Sequence, residues 1–329
     1  MVLTKMIELI GIIALLIVSL FFLLKGADSL VDGAVDVAKW LKVSPMLIGL
    51  TIVAFGTSLP ELMVSLFSAL GGNYDLSVGN IIGSNIFNIA VIIGVSAVIV
   101  PLTISKTTLA YEFPFMIISA LLLLLLANDT YIFQENTFTL GRFDGIIFLG
   151  AFALFMYYII LSAQNDRKAN HAKKEIKAAN PHWKNTLLVI GGLAALIAGG
   201  KAFTYSASRL AELMGLSQAF IGLTVAAIGT SLPELATSAM AAWKKQKDLA
   251  VGNIIGSNIF NILFVLGVTS LIHPIVVSPA MIATDGMVMI LVSFLFLYFA
   301  ARYRNISRWE GIALLTTYAI YFGYLIWRL

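Results

Sequence analysis

Long apolar runs separated by short polar segments dominate the chain. Each run is about 20 residues long, which is the length of helix needed to cross a membrane, and none alternates with the period of two typical of a barrel strand. The runs cover residues 7–24, 44–68, 78–100, 107–127, 143–163, 185–203, 217–241, 251–273, 280–301 and 309–327. The pattern therefore predicts an all-α membrane protein with ten transmembrane helices.

The second half of the chain repeats the first. GTSLPEL occurs at 56–62 and again at 229–235, and VGNIIGSNIFNI occurs at 78–89 and again at 251–262, both at an offset of 173 residues. Matches of this kind, without a gap, indicate an internal duplication. Five spans per half is an odd number, so two directly joined halves enter the membrane in opposite orientations. The sequence thus predicts two inverted five-helix repeats, an architecture found in many secondary transporters.

The polar segment in the middle of the chain marks the boundary between the halves. We place the first repeat at residues 1–163 and the second at residues 185–329. Residues 164–184, QNDRKANHAKKEIKAANPHWK, are too few and too highly charged to form a domain. They are predicted to be a short, solvated linker.

The composition agrees with a membrane location. Hydrophobic residues occupy 60% of the 329 positions and charged residues 12%, whereas an ordinary soluble domain is about 25% charged. This composition excludes a water-soluble globule. The chain contains no cysteine, which excludes disulfides and thiolate metal sites.

Lysine and arginine are distributed unevenly over the predicted loops. Sixteen lie on the side that carries the loops after odd-numbered spans, and five lie on the side that carries both termini. Positive residues are enriched in cytoplasmic loops, so we expect both termini outside, the linker in the cytoplasm and the cell membrane as the location. The net charge of +4 then reports orientation and not a nucleic-acid partner.

Two glutamates, Glu61 and Glu234, lie at matched positions inside apolar runs. A charged side chain at the bilayer centre costs about 2.5–3.5 kcal/mol on insertion scales, so two of them need an offsetting interaction. Oxygen-bearing side chains recur at helical spacing around them: Thr57 with Glu61 and Ser84 with Asn88 in the first half, and Thr230 with Glu234 and Ser257 with Asn261 in the second. Ser58 and Ser231 lie beside these pairs.

Pro60 and Pro233 add main-chain oxygen to the same place. Proline has no N–H, so the carbonyl four residues earlier loses its helical partner and the helix tends to break. Within a membrane, such a break persists only where protein, water or an ion satisfies the freed carbonyl. Carboxylate, hydroxyl, amide and carbonyl oxygens are the ligands that hard cations prefer. We therefore predict that the two halves meet near the midplane, where the two carboxylates balance one divalent cation.

A structural interpretation stays open beside the ionic one. A glutamate in a helix bundle can be protonated and hydrogen-bonded, and Ser, Thr, Gly and Asn are common packing residues between membrane helices. Because identical blocks occur twice, we favour the ion site.

The paired GTSLPEL and GNIIGSNIFN blocks resemble the alpha repeats of the calcium/cation antiporter superfamily, and most closely its sodium/calcium exchanger branch. The resemblance places the alpha repeats at about 44–100 and 217–273. It implies that the predicted helices 2, 3, 7 and 8, at 44–68, 78–100, 217–241 and 251–273, hold a cluster of Na⁺ and Ca²⁺ sites. It also implies that the predicted helices 1 and 6, at 7–24 and 185–203, shift against this core to switch access.

The resemblance also implies a ligand set. Glu61 and Glu234 would be the central Ca²⁺ ligands, together with backbone oxygens of Thr57 and Thr230. The implied Na⁺ ligands are Ser58, Ser84, Ser231, Ser257 and the carbonyls of Ala54 and Ala227. Asn88 and Asn261 occupy positions where some relatives carry an acid, an aspartate in the potassium-dependent ones, so two amides weaken the case for K⁺ co-transport.

These features favour a secondary antiporter that exchanges Na⁺ for Ca²⁺ by alternating access. A proton-coupled exchanger of Ca²⁺ or another divalent cation is the nearest alternative, and a cation channel is a further one. An intramembrane hydrolase built on Ser58 or Ser231 is disfavoured because neither block contains a histidine or lysine to activate a serine, so we expect no enzymatic activity. We infer Ca²⁺ and Na⁺ as substrates and the lipid bilayer as surroundings, with no cofactor and no obligate protein partner.

Overall fold

The computed structural model describes residues 2–128, 138–172, 182–214 and 227–328, which are mostly helical. The helices are α1 Val2–Leu41, α2 Pro45–Thr57, α3 Leu59–Leu70, α4 Tyr74–Ile99, α5 Thr108–Leu126, α6 Arg142–Ala172, α7 His182–Leu213, α8 Ala227–Thr230, α9 Leu232–Trp243, α10 Lys247–Ile272, α11 Pro279–Tyr303 and α12 Arg308–Arg328. The strands are β1 Leu102–Thr103, β2 Thr139–Leu140, β3 Ile275–Val276 and β4 Asn305–Ile306.

By length and composition, seven helices of the described chain can cross a membrane: α1, α4, α5, α6, α7, α10 and α11. The bent pair α2 and α3 raises the number to eight if the two form one span. These helices confirm the predicted helical membrane protein. The predicted run 217–241 is described only from residue 227 onward. Helix α12 covers the predicted run 309–327 but is not among the seven spans.

Two helices extend well beyond the apolar runs that predicted them. Helix α1 continues past residue 24 to Leu41, because Ala27, Leu30 and Ala34 bury one of its faces in the protein. Helix α6 continues past residue 163 into the predicted linker, and α7 begins at His182. Residues 173–181 of that linker lie outside the described chain.

Helices α4 and α10 form the centre of the protein. In the apolar windows of these two helices, 78% and 83% of the residues are buried, against 22% in α1 and 17% in α6. The two helices carry the repeated GNIIGSNIFN block, whose residues are almost all buried. The duplicated sequence is therefore the innermost part of the fold.

The main chain of the GTSLPEL blocks is interrupted at the predicted place. Helix α2 ends at Thr57 and α3 begins at Leu59 with a bend of 43°, and Ser58 between them has φ −83° and ψ 4°. Ser231 separates α8 from α9 in nearly the same conformation, with φ −87° and ψ 6°. The missing N–H of the proline at the second position of each following helix accounts for both breaks.

Helices α4 and α10 each widen into a π-helical segment, Asn88–Ile93 and Phe260–Leu266. Asn88 begins the first segment and Asn261 is the second residue of the other. A π-helical turn is rare and often marks a functional site. Here it falls on the two amides that the repeat relates to each other.

Helices α1 and α7 pack with their backbones nearly touching. A Cβ atom built on Gly26 would lie 2.9 Å from the Gly192 carbonyl oxygen, and one built on Gly192 would lie 2.8 Å from the Gly26 carbonyl oxygen. Only glycine permits this approach. Helix α1 also forms two salt bridges with Lys244, the residue that follows α9. Lys244 Nζ lies 2.6 Å from Asp28 Oδ1 and 2.7 Å from Asp32 Oδ1.

Two short antiparallel strand pairs connect the halves. Strand β1 pairs with β4, with Leu102 opposite Ile306, and β2 pairs with β3, with Leu140 opposite Ile275. Each pair takes one strand from each half of the chain. Together with the contact between α4 and α10, they hold the two halves in one body.

Candidate ion-binding site

The two broken helices meet at their glutamates. Ser58 Oγ donates a hydrogen bond to Glu234 Oε1 at 3.2 Å, and Ser231 Oγ donates one to Glu61 Oε1 at the same distance. Each serine therefore serves the carboxylate of the other half. Both glutamates are fully buried, and their carboxylates are close enough to interact electrostatically.

Five buried oxygens on the broken helices and on α4 and α10 have no hydrogen-bond partner among the described residues. They are Glu61 Oε2, Glu234 Oε2, Asn88 Oδ1, Asn261 Oδ1 and Ser257 Oγ. Leaving one buried polar atom unsatisfied costs about 1–3 kcal/mol, so a ligand that satisfied several of them would stabilise the protein. All five belong to predicted ligand residues, whereas four other buried atoms without a partner belong to Ser96, Glu112, Asn185 and Thr237.

Ser84 joins the same cluster, since its Oγ lies 3.0 Å from Ser231 Oγ. Its repeat partner Ser257 approaches the Glu234 carboxylate. Both serines are buried. The structure thus brings four predicted serines together around the two carboxylates.

The threonine hydroxyls are used to hold the broken helices in place. Thr57 Oγ1 contacts Val53 O at 3.1 Å and Asn253 Oδ1 at 3.3 Å. In the other half, Thr230 Oγ1 donates to Asn80 Oδ1 at 3.2 Å. Each contact with an asparagine crosses to the opposite half. Both hydroxyls also approach a glutamate of the opposite half, Thr57 that of Glu234 and Thr230 that of Glu61.

The main chain on either side of each break is hydrogen-bonded. The Ala54 carbonyl accepts the N–H of Ser58 at 3.0 Å, as in a regular helical turn. In the other half, the N–H of Ser231 donates to Ile228 O at 3.1 Å. Ala227 is the first described residue of α8.

Carboxylates are few at this site. No cluster of three or more His, Asp or Glu side chains able to hold a metal ion occurs in the described part of the chain. The remaining donors are hydroxyl, amide and main-chain oxygens. This mixture suits Na⁺ and Ca²⁺, which both take oxygen ligands, better than a transition metal, which favours nitrogen or sulfur.

Comparison with known proteins is decisive for the family. The family model described as sodium/calcium exchanger protein matches residues 11–161 and 184–327. The chain is 41% identical to the putative antiporter CaxA of Alkalimonas amylolytica over 93% of its own length and 95% of the relative's. It is 32% identical to the sodium/calcium exchanger MaX1 of Methanosarcina acetivorans, over 93% and 96% of the two chains.

The chain belongs to the sodium/calcium exchanger family. It is therefore a membrane antiporter of cations. Its fold is similar to that of the sodium-calcium exchanger NCX_Mj in a crystal soaked with Na⁺ and Ca²⁺, with a TM-score of 0.80, 31% sequence identity and coverage of 95% of this chain and 98% of the other.

The sequence analysis did not identify the asparagines that hydrogen-bond to the predicted ligands of this exchanger. Asn80 and Asn253 hold the threonine hydroxyls of the opposite half. Asn85 and Asn258 accept hydrogen bonds from the amides of the opposite half: Asn261 Nδ2 lies 3.1 Å from Asn85 Oδ1 and Asn88 Nδ2 lies 3.1 Å from Asn258 Oδ1. All four lie within the repeated twelve-residue block, so the repeat contained the signal.

Proposed function

We propose that this chain is a secondary active antiporter that exchanges Na⁺ for Ca²⁺ across the cell membrane, by alternating access at one site between its two halves near the membrane midplane. The observation that carries the proposal is the reciprocal pair of hydrogen bonds, Ser58 to Glu234 and Ser231 to Glu61, beside carboxylate oxygens that have no donor among the described residues. Two buried carboxylates that face each other across the halves favour a cation between them, and a divalent cation balances both charges.

The proposed ligands of Ca²⁺ are the Glu61 and Glu234 carboxylates with backbone oxygens of Thr57 and Thr230. The proposed Na⁺ ligands are Ser58, Ser84, Ser231, Ser257 and the carbonyls of Ala54 and Ala227. Asn88 and Asn261 complete the oxygen set. The convergence of most of these side chains on two glutamates supports the assignment.

Two inverted repeats of five helices, residues 1–163 and 185–329, provide a means of alternation. Residues 173 positions apart make matching contacts, as with Ser58 and Ser231, and the two strand pairs also match. In an inverted pair, each half can adopt the other's conformation, so the inward- and outward-facing states have similar energies. The ions then bias that equilibrium by their differential affinity for the two states. With both termini outside, the charged segment 164–184 lies in the cytoplasm.

The oxygen ligands around the two glutamates favour coupling to sodium over coupling to protons. Four serines lie around the two carboxylates, and hydroxyl oxygens are ligands for Na⁺ but are not needed for a glutamate to exchange a proton for Ca²⁺. The relative named MaX1 is a sodium/calcium exchanger, whereas CaxA is named only as an antiporter. No catalytic activity and no cofactor are part of the proposal.

Transport by the purified protein in liposomes tests the coupling ion. Vesicles loaded with Na⁺ are diluted into medium containing ⁴⁵Ca²⁺ with Na⁺, K⁺ or choline outside, and a parallel set carries a proton gradient without Na⁺. We expect Ca²⁺ uptake that needs internal Na⁺ and is the same in K⁺ and choline. Uptake driven equally well by the proton gradient would establish the proton-coupled alternative, and Ca²⁺ flux without any counter-ion would indicate a channel.

A further inference from the structure

The two amides at the candidate site are held by residues of the opposite half. Asn88 Nδ2 donates to Asn258 Oδ1 at 3.1 Å, and Asn88 Oδ1 is a buried oxygen without a donor in the described chain. An amide has a donor end and an acceptor end. Because Asn258 takes the donor end, the oxygen of Asn88 is left as the free end.

The orientation of Asn258 is itself determined by a methionine. Asn258 Nδ2 donates to Met116 Sδ at 3.8 Å. A thioether sulfur accepts a hydrogen bond but cannot donate one, so Met116 selects the NH₂ end of Asn258. The Oδ1 of Asn258 must then face Asn88. The three residues form a relay from α5 through α10 to α4.

The opposite half contains the same relay. Asn261 Nδ2 donates to Asn85 Oδ1 at 3.1 Å, and Asn85 Nδ2 donates to Met289 Sδ at 3.8 Å. Asn85 Nδ2 also lies 3.3 Å from the carbonyl oxygen of Asn258. Asn261 Oδ1 is again a buried oxygen without a donor in the described chain. Each member of this relay lies 173 positions after or before its counterpart in the first one.

We propose that Asn85 and Asn258 are positioning residues that determine which end of a neighbouring amide faces the ion site. Asn258 acts through the amide of Asn88 and Asn85 through that of Asn261, and each positioning residue is itself oriented by a methionine sulfur. With this orientation, Asn88 and Asn261 present oxygen to a cation. A reversed amide would present NH₂, which carries partial positive charge and repels a cation. The inference rests on the proposed function, because it assumes that a cation occupies the space beside these oxygens.

The relays also explain why each amide is supported from the other half. Because Asn88 is held by Asn258 and Asn261 by Asn85, neither half can orient its own amide alone. The oxygens face the site only when α4 and α10 are packed together. The relays therefore link ligand orientation to the contact between the repeats.

A double-mutant cycle on cation binding tests the relay. Affinity is measured on the purified protein in detergent by calorimetry, with Na⁺ alone and with Ca²⁺ alone. Removing an outer partner of a ligand typically weakens metal binding by about tenfold or more, so Asn258→Ala is expected to weaken the binding of at least one ion by about tenfold. In the Asn88→Ala background, Asn258→Ala is expected to cause no further loss, since residues that act through one another are not additive.

Asn253→Ala is the matched control. Asn253 is also a buried asparagine of α10, but it contacts Thr57 and not Asn88. Its effect on affinity is expected to persist in the Asn88→Ala background. Equal losses from Asn258→Ala with and without Asn88 would overturn the positioning role, and so would unchanged affinity for both ions.

Met116→Leu keeps the side-chain volume and removes only the sulfur acceptor, so it tests the relay if Asn258→Ala does not fold. We expect about threefold weaker binding that disappears in the Asn88→Ala background, a smaller effect because the hydrogen bond to sulfur is weak. Unchanged binding in Met116→Leu would overturn the relay.

Glu61→Gln distinguishes failure of the relay from failure of the proposed site. If this variant still binds Ca²⁺ normally, the proposed site itself is wrong. If it loses Ca²⁺ binding but the effects of Asn88→Ala and Asn258→Ala are additive, only the relay is refuted.

Discussion

Ser58 and Glu234 lie 176 positions apart and are joined by a hydrogen bond of 3.2 Å from the serine hydroxyl to the carboxylate. Each belongs to one copy of the same seven-residue block, and the related pair Ser231 and Glu61 makes the same bond in the opposite direction. Neither block can satisfy its own glutamate alone. The hydrogen bonds of both glutamates therefore depend on the contact between the two halves.

Replacement of either glutamate by glutamine is expected to abolish transport. Glu61→Gln and Glu234→Gln keep size and hydrogen-bonding capacity but remove one of the two negative charges that balance a divalent cation. We expect Na⁺-driven ⁴⁵Ca²⁺ uptake into proteoliposomes to fall to the level of protein-free vesicles in each variant.

Glu112→Gln provides the matched control for these two substitutions. Glu112 is also a buried glutamate of a membrane helix, but its partner is the hydroxyl of Tyr158 at 2.5 Å, and a glutamine oxygen can accept that bond as well. Uptake is expected to persist in this variant. Substantial uptake by either Glu61→Gln or Glu234→Gln would refute the central role of the two carboxylates.

The two cross-half serines are expected to differ in their importance. Ser231 Oγ contacts both Glu61 and Ser84, whereas Ser58 Oγ contacts Glu234. Loss of one buried hydrogen bond costs about 1 kcal/mol, or about fivefold in affinity. Ser231→Ala is therefore expected to raise the Na⁺ concentration for half-maximal exchange more than Ser58→Ala does. Initial uptake rates at graded Na⁺ concentrations measure this, and equal effects of the two variants would show that the Ser84 contact contributes nothing.

Apolar runs and internal repetition predict much of this fold. Helices α4, α5, α10 and α11 lie within a few residues of the apolar runs that predicted them, because a run of about 20 apolar residues has the length of a helix that crosses a membrane. The prediction fails for α1 beyond residue 24, where Asp28 and Asp32 interrupt the run. The helix continues there because Ala27 and Leu30 bury the other face and Lys244 neutralises the acids. Such support comes from distant parts of the chain and leaves no local pattern.

The candidate site likewise contains some residues that the sequence predicts and others that it does not. Its glutamates, serines and proline breaks are predictable because a polar group in an apolar run needs a physical reason. Asn85 and Asn258 look like packing residues in the sequence, and Met116 and Met289 are indistinguishable from other apolar positions. Their role depends on which atom faces which across the two halves, a property of the three-dimensional contact that neither copy of the repeat contains alone.

The close packing of α1 on α7 predicts a strong difference between two adjacent glycines. A Cβ on Gly192 would lie 2.7 Å from the backbone nitrogen of Leu30, whereas a Cβ on Gly191 meets no described atom within 4 Å. Overpacking of this kind costs about 1–3 kcal/mol. We expect Gly192→Ala to lower the thermal unfolding temperature of the purified protein and Gly191→Ala to leave it unchanged or raise it, since alanine favours helix over glycine. Equal unfolding temperatures of the two variants would mean that the helices are not in backbone contact.

Ser257 offers a test in which stability and binding change in opposite directions. Its hydroxyl is buried and approaches the Glu234 carboxylate without making a hydrogen bond of ordinary geometry in the described chain, whereas the hydroxyl of its counterpart Ser84 lies 3.0 Å from Ser231 Oγ. Removing an unsatisfied buried hydroxyl relieves a cost of about 1 kcal/mol or more, so Ser257→Ala is expected to raise the unfolding temperature of the protein in buffer without Na⁺ or Ca²⁺. Ser84→Ala, which deletes a satisfied hydroxyl, is expected to lower the unfolding temperature.

The response to Na⁺ tests whether Ser257 is a ligand. If it is, the Ser257→Ala variant should gain less stability than the unmodified chain when Na⁺ is added, because a ligand stabilises a protein according to its affinity for the folded state. A variant that is stabilised without ions yet responds to Na⁺ as the unmodified chain does would show that the Ser257 hydroxyl is a packing defect and not part of the ion site.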